Sequence, residues 1–355
     1  MSGEAPEVRV GFMPLLDCAL LVVAHEVGLA RREGLGLRLI RESSWANIRD
    51  RVAIGHFDAA HMLGPMVVAE CVGAGHLATP LIAPVALGTG ANAITVSQSL
   101  WQGMQRFGAG IGFGPAAQAQ ALAKLVAERA TAGLAPLTLA MVFPFSCHNY
   151  QLRDWLESAG IDPEKDVRLV VLPPPLLVDA LRSGQIDGFC VGEPWNSLAV
   201  DAGIGVIAAV CSDVWERPPE KVLAMRARYA DENPGIVTAL VQAIAAASRW
   251  AADPVNRQDL AQLLSQPRYV GAPARLLLAA LNGSITADAG QAPIQRPDFV
   301  SFGPDSIAPH PRYAELFYSR MRRWQQVGAD SAGPERARAG FRLDIFRGAV
   351  KGVAQ

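Results

Sequence analysis

Charge is what this sequence has least of. Asp, Glu, Lys and Arg make up 18% of 355 residues, and 33 acidic against 32 basic side chains leave a net charge of −1. That balance excludes the electrostatic footprint of a protein that tracks nucleic acid or an anionic membrane, so any anion must be held by local groups. Cysteine is sparse as well. Cys18, Cys71, Cys147, Cys190 and Cys211 are odd in number and contain no C-x-x-C pair, which argues against both a disulfide framework and a zinc site. They read as small buried apolar side chains, in a set that exported proteins tend to avoid. Long apolar runs are missing near the start: "ALLVVA", Ala19 to Ala24, is far short of the ~20 residues of a membrane helix. The opening "MSGEAPEVRVGF" carries two glutamates where a secretory signal has a basic start. The expected location is therefore the cytoplasm, with no membrane contact. P-loop, HExxH and GxSxG patterns are absent too, and with them the signatures of the corresponding nucleotide, zinc and serine chemistries. No metal or cofactor is expected.

What is present is apolar and periodic. Half of the chain is hydrophobic, which suits a large buried α/β core, and the length suits two lobes. "VRVGFM", "LRLIRE" and "FDAAHML" read as strands. They alternate with helices in "CALLVVAHEVGLARREG", with Asp17 placed to cap it, in "ANIRDRVAIG", and in a segment opening at Gly64-Pro65. "LIAPVAL" and "AITVS" lead out of that lobe. The rhythm then repeats: a helix in "AAQAQALAKLVAERATAG", the strand "LTLAMVF", a helix after Ser146, "VRLVVL", the helix "PLLVDALRSG", "IDGFCV" and a helix after Pro194. "EKVLAMR" is again a strand, and the remainder is mainly helical. Such alternation predicts mostly parallel sheets covered on both faces. The lobes are expected over residues 1–96 with 220–355, and over 97–219. The proline-rich stretch from Thr286 to Pro311 is long for a loop in a compact domain, which points to a functional role.

Several short signals compete. "GTGANA", Gly88 to Ala93, fits a dinucleotide fingerprint but runs into the strand "ITV" instead of a helix. Cys147-His148 at a helix start suggests a lowered-pKa thiol nucleophile, although sequence neighbours seldom face each other. Alternatively His148 alone presents its imidazole beside free backbone N–H groups, where anions bind, or is a bland partly exposed histidine. Trp45, after Ser43-Ser44 at a strand end, is either a core tryptophan or a residue of the crevice where open α/β sheets bind ligands. Lys221 directly follows Pro218-Pro219-Glu220 and reads by default as a surface lysine. In "DGFCVGEPWN", Gly192 ends a strand before Glu193, which reads either as an acid catalyst or as a structural group.

The block "SCHNYQLRDWLESAGIDPEKDVRLVVLPPPLLVDALRSGQIDGFCVGEPWN", with "PEKVLAMR", "GFMPLLDCALLVVAHEVG", "SSWANIRD" and "FDAAHMLGPM", resembles the nitrate/nitrite-binding proteins of the ABC-transporter solute-binding family. The resemblance covers most of residues 7 to 230 and extends to the cytoplasmic nitrate/nitrite sensors of the NasS type, which it is taken to match most closely. It implies a two-lobed periplasmic-binding-protein-like (type II) α/β fold with an anion trapped between the lobes. Motif by motif, it places the ligand contacts on Trp45, Asn92, His148, Gly192 and Lys221. Asn92 departs from the pattern, standing where the transporter proteins have a longer glutamine. The chemistry agrees with that assignment. Nitrate is a planar monoanion with acceptors only, so its site needs donors and a cation. Lys221 supplies the charge, His148, Asn92 and Trp45 supply side-chain N–H groups, and Gly192 exposes a backbone N–H.

The resemblance implies a cytoplasmic sensor that binds nitrate or nitrite and controls an ANTAR-domain RNA-binding antiterminator (NasT-like), without touching nucleic acid itself. The alternative is the solute-binding component of an ABC transporter for nitrate, bicarbonate or a sulfonate. An enzyme on the same fold is not expected, for want of a cysteine-rich motif or a nucleophile and base.

Overall fold

The structure is a computed structural model that describes residues 5–75, 79–112, 114–215 and 220–351. Pro218 and Pro219 before Glu220, and residues 1–4 and 352–355 at the ends of the expected first lobe, lie outside the described residues.

The first stretch of the chain alternates β1 (Glu7–Phe12), α1 (Ala19–Glu26), α2 (Leu29–Arg32), β2 (Gly36–Arg41), α3 (Trp45–Ala53), β3 (Ala59–Leu63), α4 (Gly64–Cys71) and β4 (Leu81–Ala86). The second holds β5 (Thr89–Gly90), β6 (Asn92–Ser97), α5 (Gln98–Gln105), α6 (Pro115–Thr131), β7 (Leu137–Met141), α7 (Cys147–Glu157), β8 (Val167–Val171), α8 (Leu177–Arg182), β9 (Gly188–Gly192), α9 (Trp195–Asp201) and β10 (Gly205–Val210). After β11 (Lys221–Arg226) come α10 (Ala227–Glu232), α11 (Pro234–Ala252), α12 (Arg257–Ser265), α13 (Ala274–Leu281), β12 (Ser284–Ile285), β13 (Ile294–Gln295), β14 (Val300–Ser301), α14 (Pro311–Arg323), α15 (Gly333–Ala339) and α16 (Leu343–Lys351). The sequence reading did not single out α5, α15 or α16. Each is only seven to nine residues long, too short for its apolar period to repeat more than about twice.

Two five-stranded sheets result, in the orders β2-β1-β3-β11-β4 and β10-β6-β9-β7-β8. In each, four strands share a direction and one is reversed. β11 runs antiparallel to β3 and β4, and β6 antiparallel to β9 and β10. The sheets are thus mixed, and the reversed strand is the first one the chain forms after crossing from the other sheet. β3, β4 and β9 are buried along their whole length, as strands covered on both faces must be. α11 is 19 residues long and apolar enough by composition to cross a bilayer. Its Val237, Leu240, Val241 and Ile244 stripe is instead buried in the core, in contact with α1, α2 and α16.

The stretch after α13 braces the crossing. β14 pairs with β5, and the Ala91 N–H donates to the Phe299 carbonyl at 2.7 Å. Gly90 has a φ of 85°, and a Cβ there would collide with that same carbonyl, so glycine is required. Further along, the Ile207 N–H donates to Ala287 at 2.8 Å, Gln98 to Asp288 at 2.9 Å, and Arg296 pairs with Asp213. The end of α14 docks on α7: Arg320 lies 3.2 Å from Asp154, Arg323 pairs with Glu157, and the Tyr150 hydroxyl donates to Gln326 at 2.6 Å.

Candidate functional site

The site is assembled from strand ends. Lys221 is the first residue of β11, Asn92 the first of β6 and Gly192 the last of β9, while Trp45 and His148 stand in the first turns of α3 and α7. Ser44 and Ser146 cap those helices by accepting from the Asn47 and Asn149 N–H groups, which fixes where each first turn begins. All five side chains or backbones gather in one buried region where the two sheets meet.

Lys221 is at its centre and is fully buried, contrary to the surface default. Its Nζ lies 2.8 Å from Asp17 Oδ2, 3.2 Å from Glu220 Oε1 and 5.8 Å from the centroid of the Trp45 ring. Burial works to lower the ammonium pKa, but Asp17 and Glu220 more than offset it and hold the group above the ordinary lysine value. Asp17 is thus the nearer partner of Nζ and Glu220 the second. Asp17 does not cap α1 as expected. It lies in a 3-10 turn and turns inward, with Oδ1 3.0 Å from His61 Nε2. Burial pushes its carboxyl up, yet Lys221 and His61 together draw it well below the usual carboxylate range.

The two buried histidines differ. His61 Nδ1 accepts the Met13 N–H at 3.3 Å, and its ring meets Trp45 edge-on at 5.3 Å. Burial lowers its pKa against the pull of Asp17. His148 Nδ1 is 3.5 Å from Glu220 Oε1, and neither ring nitrogen has a hydrogen-bond partner among the described residues. Burial lowers His148 to about 4, with Glu220 opposing. The neighbouring thiol of Cys147 is buried and raised well above its ordinary value by burial and by Glu220. That is the opposite of what a thiolate nucleophile needs.

Asn92 donates through Nδ2 to Gln151 Oε1 at 3.0 Å, which leaves its Oδ1 buried and without a partner. One of the two amide N–H groups of Asn92 is therefore engaged, by Gln151, one turn beyond His148 on α7. Opposite Asn92 in the ladder, Gly192 has a free approach: a Cβ there would lie 3.3 Å from Asn92 Oδ1 and 3.6 Å from Asp17 Oδ2. The Glu193 N–H donates to Ala91 at 2.8 Å. The next pair, Asn92 and Gly192, therefore exchanges no hydrogen bonds, and the Gly192 N–H is not spent on β6. Glu193 itself is buried. Its Oε2 accepts the Ser197 N–H at 3.1 Å, and burial raises its carboxyl to about 7.

Beside the Asp17, His61 and Lys221 ion pairs, buried polar atoms without hydrogen-bond partners among the described residues gather here: Trp45 Nε1, Asn92 Oδ1 and both nitrogens of His148. Buried polar atoms are nearly always paired, so such a concentration marks a place where a ligand supplies the partners. A cavity of about 10 Å³, water-sized, adjoins it between Asn92, Gln151 and Glu220. Trp215 separates that cavity from a wider hollow of about 650 Å³ lined by Arg312, Tyr313 and Arg320. Among the described residues no group of three or more His, Cys, Asp or Glu is arranged to hold a metal. "GTGANA" spans β5 and the start of β6 with no helix after it.

Sequence reasoning found five residues of this cluster and missed Asp17, His61, Glu220 and Gln151 as members. A histidine inside the otherwise apolar strand "AAHML", and a glutamine three residues after His148, were the available signals. The expectation of a site built of donors alone is corrected, because two carboxylates are present. A buried ammonium needs compensation even when no anion is bound.

Residues 2–265 match the NMT1-like family. The chain belongs to that family. This NMT1-like chain is 39% identical over 276 residues to the nitrate import ATP-binding protein NrtC of Synechocystis sp., covering 76% of itself and 39% of that protein. It thus spans well under half the length of that relative. With the nitrate/nitrite binding protein NrtA of Synechococcus elongatus it shares 30% identity over 367 residues, covering 100% of this chain and 80% of the other. The crystal structure of the periplasmic nitrate-binding protein NrtA from Synechocystis PCC 6803 superimposes with a TM-score of 0.90 at 25% identity, over 98% of this chain and 89% of that one. The NMT1-like chain therefore has the α/β periplasmic-binding-protein-like fold, with mixed sheets flanked by helices.

Proposed function

We propose that this chain is a solute-binding protein of the ABC-transporter type that traps nitrate or nitrite between two lobes, one on each five-stranded sheet; the expected division at residues 96 and 97 moves ahead of β6 (Asn92–Ser97), which pairs with β9 and β10 of the second sheet. The observation that carries the reading is a fully buried lysine ammonium surrounded by polar groups that lack partners. Lys221 offers the anion its ammonium, Trp45 Nε1 and the Gly192 N–H are donors for its oxygens, and His148 adds another. Asn92 and Gln151 act as one amide pair on the opposite side. The family and the NrtA relatives support the same ligand class. They also support a binding role over a catalytic one, as does a Cys147 thiol held in its protonated form.

Calorimetry with nitrate, nitrite, bicarbonate and an alkanesulfonate tests the reading. Binding of nitrate or nitrite with at least tenfold preference over the other two is expected. Binding of bicarbonate or sulfonate with nitrate silent overturns the assigned ligand.

A second reading is a cytoplasmic sensor of the NasS type that controls an ANTAR-domain antiterminator. It is supported by the odd, scattered set of five cysteines, four of them buried. The anion would bind the closed form better and shift the population away from a partner-competent form. Capture of an ANTAR protein by the anion-free chain, and its release by nitrate, is the expected result. Failure to capture one with or without nitrate overturns the sensor reading.

A further inference from the structure

We propose that the site takes up one proton with each anion, and that His148 and Glu220 hold this proton between them. The inference rests on the nitrate or nitrite reading above and adds to it a positioning residue, Glu220, and a second ligand, the proton.

A neutral imidazole carries one N–H and one lone pair. His61 is satisfied in that state: Nδ1 accepts from Met13, and Nε2 faces Asp17 as its donor. His148 is not. Its Nδ1 faces the Glu220 carboxylate at 3.5 Å, and its Nε2 is the ring atom left for an anion. Both neighbours are then acceptors, and a neutral ring has only one N–H to offer. The ring meets both only as an imidazolium, with Nδ1–H directed at Glu220 and Nε2–H at the anion. That arrangement needs one more proton than the empty site holds.

Charge gives the same answer. The groups facing His148 are Glu220 and Lys221 at the start of β11, Asp17 in the turn before α1, and the protonated Cys147 thiol on its own helix. Two carboxylates and one ammonium sum to a single negative charge. A protonless monoanion would double it in a buried space, whereas anion and proton together leave it unchanged. Without the anion, burial keeps the imidazole neutral near pH 7, so the proton arrives on binding. Affinity then falls as pH rises, by up to about tenfold per unit wherever the empty site is unprotonated and the filled one protonated.

Nitrate titrations at pH 7 in buffers of different ionisation enthalpy, repeated from pH 6 to 8, test this. The expected result is about one proton taken up per anion and a Kd that rises close to tenfold per pH unit. In Glu220→Gln the amide donates to Nδ1 and frees a neutral Nε2–H, so uptake drops toward zero and Kd becomes flat with pH. Nitrate binding with no uptake and a flat Kd in the unmodified protein overturns the proposal and leaves the nitrate reading standing. Uptake that persists in Glu220→Gln overturns the assignment to this pair. Nuclear magnetic resonance of the His148 ring in the unmodified protein needs no variant: a charged or hydrogen-bond-donating Nε2–H with nitrate at pH 7 is expected. An unprotonated Nε2 in the complex overturns the proposal. Absence of nitrate binding at every pH overturns this inference and the functional reading together.

Discussion

The two walls of the site are built on different principles. The wall from the first sheet, with Asp17, His61, Glu220 and Lys221, carries all the charge, held in contacts of 2.8 to 3.2 Å that leave one negative charge over. The wall from the second sheet, with Asn92, His148, Gln151 and Gly192, is neutral, and much of its hydrogen-bonding capacity is unused. The charged wall is set before any ligand arrives, and the neutral wall holds donors in reserve. An anion that draws the two together gains a cation from one side and fresh hydrogen bonds from the other.

The strongest way to break the contrast is Lys221→Ala. It leaves Asp17 and Glu220 as buried carboxylates without their cation, and loss of one partner of such a group costs about 3–5 kcal/mol. Chemical denaturation should show a loss of that size, and calorimetry should show no nitrate binding. Unchanged binding would remove Lys221 from the site.

Next in size is the acid response of the empty protein. A histidine held below its ordinary value binds its proton later when folded than when unfolded. Its contribution to stability is therefore complete above pH 6.5 and is lost as the pH falls toward 4. For His148 that window corresponds to about 3 kcal/mol. Denaturation midpoints should drop over this range, and His148→Asn should flatten the drop, leaving the part due to His61. A midpoint independent of pH from 6.5 to 4 would contradict the buried neutral state of both rings.

The smallest effect sharpens the comparison. In Gly192→Ala the new methyl group fits at ordinary contact distance from Asp17 and Leu15 and only tightly against Asn92. Stability should change by less than about 1 kcal/mol, while affinity falls about tenfold or more as the methyl screens the backbone N–H. Equal losses of stability and affinity would assign Gly192 to packing instead.

Much of this architecture was legible in the sequence, because the βα rhythm is written in runs such as "LTLAMVF" and "IDGFCV" whose period needs no tertiary knowledge. Trp45, Asn92, His148, Gly192 and Lys221 were legible because they stand at strand ends and first helical turns, and because the motifs around them resemble those of known anion binders. The charged partners were not. Asp17 sits where a helix cap belongs, and nothing local distinguishes a cap from a carboxylate that turns inward to a lysine 204 positions later in the chain. Glu220 stands one residue ahead of β11 and His61 in the middle of β3, where nothing local marks either as a site residue. Long-range ion pairs have no period, so they become visible only when the sheets are brought together.

The reversed strands have a mechanical meaning. β6 and β11 each begin at the site, with Asn92 and Lys221, immediately after the chain has crossed from one sheet to the other. The ligand groups thus lie where the chain passes from one sheet to the other, as print lies near the binding of a half-open book. A group at such a crossing has a short lever arm whichever leaf turns, so Lys221 stays beside Asp17, and Asn92 beside Gly192.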